Sequence, residues 1–186
     1  RGFSYQNDSN LDMRMDISQK LSAKDVINNY EINDLISIFF NFGEEQHAKK
    51  IATSIIENRP INTTDELVNV IKLSIPRQNP KYTKSSIKRI FQSIRIEVNN
   101  ELNEIVTSLD NIKTFIKKGG IMIFLTYHSI EDKIIKKFID NEVKGCLCDP
   151  KFAICTCKNI AEFKLGEFKK RKPSSSEIKL NPRSKS

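Results

Sequence analysis

Residues 119–139, GGIMIFLTYHSIEDKIIKKFI, constrain the fold of this chain more than any other stretch. Gly119 and Gly120 stop a preceding helix, because glycine accepts the left-handed conformation that a helix C-terminus often needs. Ile121 to Tyr127 are almost all apolar and rich in β-branched or aromatic residues. The run is too short for an independent helix and reads as a strand buried on both faces, of the parallel-sheet type. From Ile130 the texture changes. Ile130, Ile134, Ile135, Phe138 and Ile139 share one helical face, with Glu131, Lys133, Lys136 and Lys137 turned from it. Ser129, with Asp132 three residues on, has the form of a helix N-cap. His128 and Ser129 therefore fall where a strand hands over to a helix, the place where open α/β sheets bind ligands and helix N-termini favour anions. Polar residues there are candidates for chemistry; a cap and a turn residue are the plainer alternative.

A chain of 186 residues with 38% hydrophobic content can bury a real core in one domain of ordinary size, or one and a half small ones. No apolar run approaches the length of a membrane span, and no signal peptide opens the sequence. The first residue is Arg1 rather than an initiator methionine, which points to a fragment or a processed piece. Four cysteines within twelve residues do not resemble a secreted disulfide framework, so a reducing cytoplasm is expected. Charge is uneven. Residues 1–111 carry 14 Lys and Arg against 15 Asp and Glu, whereas residues 112–186 carry 17 against 8. A basic half beside a neutral one points to a polyanionic partner met by the C-terminal half, with a solvated lysine-rich surface as the alternative.

Residues 1–20 have no helical period and read as loop. Within them DMRMD, Asp12 to Asp16, places an Arg between two carboxylates, either a positioning device or a loop-holding ion pair. Residues 21–84 read as an all-α module of four short helices. Ser22 with Asp25 caps the first, and Ile32, Leu35, Ile36, Phe39 and Phe40 give the second its apolar face. Glu44 to Arg59 is the third, and Thr63 with Glu66 forms a capping box before the fourth. His47 lies on the third helix, without an assigned role. A helical pattern then runs from about Ser85 to Lys117, with a break expected at Asn99-Asn100, and Lys88, Arg89 and Arg95 give its first part a solvated cationic side. Cys146, Cys148, Cys155 and Cys157 follow as two C-x-C pairs six residues apart, spaced for either a tetrahedral zinc knuckle or unligated thiols. Asn159 to Ser186 reads as a flexible basic arm, with KKRK at 169–172.

Five blocks in one order, RGFSYQNDSNLDMRMD, FGEEQHAKKIA, FQSIRIEVNNEL, GGIMIFLTYHSIEDKIIKKF and NPRSKS, closely resemble the small-subunit ribosomal RNA methyltransferase H family, also called MraW. The resemblance covers essentially the whole chain, and the cysteine cluster is similar to one found in some members. It implies an α/β fold, the C-terminal portion of a class I (Rossmann-like) methyltransferase with an inserted all-α domain. Residues 1–20 would be a loop of the methyltransferase domain, 21–84 the insert, and 85–186 the rest of that domain with the cysteines and basic tail. The implied activity is S-adenosylmethionine-dependent N4-methylation of a cytosine in the decoding region of small-subunit rRNA. The family's glycine-rich GGH-type loop and ribose-holding acid have no counterpart here, so the main cofactor residues lie upstream and weak binding of S-adenosyl-L-methionine is expected. The sequence also stops just after NPRSKS, where the family usually continues into a last strand.

On this reading His128, Ser129, Glu131 and Asp132 lie near the target amine, with Asp12 and Arg14 facing them. Asn181, Arg183 and Lys136 contact RNA. The expected partners are small-subunit rRNA, in the cytoplasm, and a second copy of the chain, with no membrane. A non-catalytic RNA-binding module with a zinc knuckle is the alternative.

Overall fold

The computed structural model describes residues 2–75, 80–146, 148, 151, 154, 157, 160–166 and 173–185. The chain divides into two compact units, residues 1–101 and 102–186.

The first unit is helical: α1 (Ala23–Asn29), α2 (Ile32–Asn41), α3 (Ala48–Glu57), α4 (Thr64–Ser74) and α5 (Pro80–Asn99). Local chemistry starts these helices. Ser22 accepts from the Asp25 N–H while Asp25 accepts from the Ser22 N–H, and Thr63 and Glu66 repeat the exchange before α4. Both capping boxes stand where the sequence places them, each satisfying backbone donors that a helix start leaves open. At the other end of α1, Arg59 donates to the Ile27 carbonyl at 2.7 Å and to the Tyr30 carbonyl at 2.6 Å. A guanidinium there answers the open carbonyls of a helix C-terminus.

The helices close on one core of Leu35, Phe39, Ile51, Ile55, Leu67, Ile71, Ile90 and Ile94, to which Leu11 and Met13 of the N-terminal segment also belong. That segment is pinned by an isolated antiparallel bridge between Asn10 and Thr63 and by backbone bonds from Leu11 to Asn62 and from Ala23 to Asp12. Gly43 lets the α2–α3 turn approach α5. A Cβ there would stand 2.7 Å from the Phe39 carbonyl oxygen and 2.9 Å from that of Arg89, so Gly43 is required by close backbone approach.

Two expectations about this unit change. The third helix begins at Ala48, not Glu44, because Glu44 takes a positive φ of 50° and Glu45 turns into the core. The cationic side expected of α5 is not simply solvated. Arg89 pairs with the buried Glu45 at 2.7 Å, and Arg95 forks onto Glu101 at 2.7 and 2.9 Å.

The break expected at Asn99-Asn100 is present. Asn100 has a φ of 50°, and α6 (Glu101–Ile112) starts immediately after it. The second unit continues through a single 3-10 turn at Lys113–Phe115, an extended stretch, α7 (Ser129–Lys144) and α8 (Ser175–Leu180). The buried parallel strand does not appear, and the described residues contain no β-strand. Ile121 to Tyr127 instead lie outside any helix or strand, with Ile121, Ile123, Leu125 and Tyr127 exposed by 71–89% and the residues between them half-buried, the two-residue period of an extended chain. On the opposite side, Phe124 meets Phe138 of α7 edge to face at 6.1 Å. The physical reason is that a strand exists only through its neighbours' hydrogen-bond ladder, and the described residues offer none.

The C-terminal arm departs from the featureless expectation in α8, which Ser174 and Glu177 close with a capping box. KKRK at 169–172 lies outside the described residues, and among the described residues no helix is long and apolar enough to cross a membrane.

Candidate functional site

The corner at the end of the extended stretch is built by α7. His128, not Ser129, is its N-cap. Its backbone is extended (φ −144°, ψ 162°), and its imidazole Nδ1 accepts from the Glu131 N–H at 3.4 Å. The ring thus does the work expected of the Ser129 hydroxyl one residue later, and Ser129 is the first helical residue. Glu131 is the hub. Its Oε2 accepts from the Tyr127 N–H at 2.9 Å, and its Oε1 stands 2.9 Å from His128 Nε2. A carboxylate in the first turn also suits the positive end of the helix dipole. His128 and Glu131 side chains are only 13% and 18% exposed, and His128 Nε2 is itself buried, close to the carboxylate but not aligned for a hydrogen bond with it. Asp132 faces along the helix to Lys136, its Oδ2 2.5 Å from Nζ, and the Lys136 side chain is 62% exposed.

The DMRMD loop belongs to the other unit. Asp12 and Arg14 form a forked pair, with Nε to Oδ1 at 2.6 Å and Nη2 to Oδ2 at 3.2 Å. Nη1 of Arg14 donates to the carbonyls of Ile17 and Gln19 at 3.1 and 2.7 Å. The hydrogen bond from Arg14 holds the Asp12 carboxyl below the usual carboxylate range against its desolvation. Of the two methionines, Met13 is fully buried with a φ of 57°, while Met15 is 57% exposed.

Asn99 fixes that loop from α5. Its amide nitrogen donates to the Met13 carbonyl at 2.8 Å, and its amide oxygen accepts from the Met15 N–H at 2.7 Å. The sequence marks Asn99 only as a helix breaker; its second role depends on residues more than eighty positions away. Asn99→Ala leaves one nearly buried acceptor and one donor without their partner, a loss of about 2–3 kcal/mol. The expected outcome is a clearly lower thermal midpoint for the first unit; a midpoint unchanged from the parent contradicts the anchoring role.

Asn181 ends α8. Its N–H donates to the Glu177 carbonyl at 2.7 Å, and its own carbonyl accepts from the Ser184 N–H and hydroxyl. The Arg183 side chain lies outside the described residues, as does Cys155. The structure therefore gathers the candidates into two groups in different units: His128, Ser129, Glu131 and Asp132 in one, Asp12 and Arg14 in the other.

The corner by itself does not name a family, and comparison with known sequences does. The MraW methylase family matches over residues 1–186, the whole chain. This chain belongs to the MraW methylase family. Curated relatives named ribosomal RNA small subunit methyltransferase H are 43% identical in Clostridioides difficile and 45% identical in Mesomycoplasma hyopneumoniae. A third, from Finegoldia magna, is 42% identical. Each match covers all of this chain, which spans 60–61% of the length of these relatives. Within the MraW methylase family, the blocks that carry the resemblance coincide here with structural devices. DMRMD is the loop held by Asn99, FGEEQHAKKIA carries buried Glu45, and YHSIEDK is the capped corner of α7.

Proposed function

We propose that this chain serves the S-adenosylmethionine-dependent N4-methylation of a cytosine in the decoding region of small-subunit rRNA. The observation that carries this reading is the family match along all 186 residues, together with relatives named for methylating that RNA. It favours the enzyme over the non-catalytic RNA-binding module. The extended stretch 121–127, apolar and exposed along one side, is read as a strand of the α/β sheet of a class I methyltransferase, lined up by the part of the relatives' length that this chain does not span. Among the described residues no glycine-rich turn joins a strand to a helix, so they do not by themselves fit S-adenosylmethionine. The remaining part of the relatives' length is the expected holder of that cofactor.

What this chain contributes is the base-facing corner. An exocyclic amine that gains a methyl group must lose a proton, and its lone pair must be aimed. The carboxylate of Glu131 can accept the hydrogen bond and then the proton of such an amine, and the imidazole of His128, with Nε2 2.9 Å from that carboxylate, holds it in place. The helix dipole of α7 favours the charged carboxylate in that role. The target cytosine has to be unstacked to reach it. Lys136 and the basic C-terminal half supply phosphate contacts, Asn181 and Arg183 among them. The protein acts as a cytoplasmic rRNA-modifying enzyme in this reading, and a homodimer remains part of the proposal.

The test is nucleoside mass spectrometry of small-subunit rRNA from cells with and without the gene. N4-methylcytidine should disappear from the decoding region when the gene is removed. Its persistence at the parental level contradicts the assignment.

A further inference from the structure

Where α7 ends, the chain makes a loop whose two sides meet. Gly145, with a φ of 70°, packs so closely on Ala161 that a Cβ at Gly145 would stand 2.9 Å from the Ala161 nitrogen. Between these touching ends lie the cysteines. The sulfurs of Cys146, Cys148 and Cys157 all lie within 4.8 Å of one another, and those of Cys146 and Cys157 are 3.8 Å apart. A disulfide would hold those two sulfurs at about 2.05 Å. Sulfurs placed about 2.3 Å from a zinc ion at tetrahedral corners stand about 3.8 Å from each other. The observed separation excludes a disulfide and has the length of a zinc–thiolate tetrahedron edge, a length that a plain thiol–thiol contact shares.

We infer that Cys146, Cys148 and Cys157 are ligands of a structural zinc ion that staples the loop between α7 and residue 160. Thiolates select a soft or borderline ion, and a tetrahedral sulfur set favours zinc. Cys155, the fourth cysteine of the sequence pattern, lies outside the described residues. Gly145 and Ala161 already meet at the base of this segment, and the free energy of metal binding becomes local folding free energy. No step of methyl transfer depends on this site.

The test is metal analysis of the full chain purified under reducing conditions with zinc supplied. The expected result is about one zinc per chain, as a single tetrahedral site requires. Cys146→Ser and Cys157→Ser should each lose it, and His128→Ala should keep it. Cobalt should replace zinc with the visible absorption of tetrahedral thiolate coordination, and lose that absorption in the serine variants. Circular dichroism of the first unit's helices checks that these variants fold. Chelation of the metal should also speed modification of the thiols and tryptic cleavage at Lys151. Absence of zinc with the thiols reduced, iron in its place, or zinc retained by both serine variants overturns the inference. None of these outcomes bears on the rRNA methylation assay, so the two readings stand or fall separately.

Discussion

Arg89→Ala is expected to destabilise the first unit by about 3–5 kcal/mol, because it leaves a charged carboxylate in the core without its counter-ion. Glu45 has no solvent exposure. Its Oε2 receives Arg89 through Nε at 2.8 Å and Nη2 at 2.7 Å, while Oε1 receives the His47 N–H at 2.9 Å and the Tyr82 hydroxyl at 3.3 Å. The guanidinium also lies 5.4 Å from the centre of the Tyr82 ring. Burial alone would push the Glu45 carboxyl up. The hydrogen bonds from His47, Arg89 and Ser86, with the Arg89 charge, overcome it and hold the group below its ordinary value. A lowered folded-state pKa contributes stability above the unfolded value, and that stability is lost as pH falls through the folded value. Parent stability should therefore drop in acid, below the ordinary carboxylate range. The Arg89→Ala deficit should be greatest at neutral pH and shrink as acid neutralises Glu45. Glu45→Gln, neutral and similar in shape, should cost less than Arg89→Ala at neutral pH. Denaturant unfolding at several pH values checks this, and a deficit independent of pH contradicts it.

The helices of the first unit were legible because their information is local. Capping boxes act over three residues, and the apolar periods of α2 and α4 repeat every three or four. The start of α3 was not legible, since Glu45 leaves the helical path to meet Arg89, 44 positions away. The same distance problem hid Asn99. A helix-ending asparagine is a common local signal, whereas its grip on Met13 and Met15 exists only after the chain has folded. Ile121 to Tyr127 present the opposite case. Their composition predicts a strand, and the backbone is extended, yet pairing is a property of neighbours and not of the segment itself. At the corner, the sequence locates the start of the helix but assigns the cap to Ser129. An imidazole in place of a hydroxyl is an unusual cap, and only the extended backbone at His128 identifies it.

That cap sets the terms for the second large effect. His128→Ala removes both the cap and the imidazole, and loss of a cap alone costs about 0.5–2 kcal/mol. His128→Asn keeps a cap acceptor and removes the ring that faces Glu131. If the ring takes part in transfer, both variants should lower methylation by about ten- to a thousandfold, about 1.4 to 4 kcal/mol of transition-state stabilisation. Only the alanine variant should also melt earlier. Lys136→Ala, two helical turns into α7, removes the ion pair to Asp132 but should leave His128 and Glu131 in place, and should weaken RNA binding, more at low salt than at high, through one fewer phosphate contact.

The most direct measurement is the single-turnover rate of N4-methylcytidine formation on purified small subunits, using protein of the relatives' full length that carries this chain, as parent and as His128→Asn. The account predicts a methyl group on the cytosine N4 with the parent, and a rate at least about tenfold lower with His128→Asn at an unchanged melting temperature. A parental rate with His128→Asn, or a methyl group on any other atom, would contradict it.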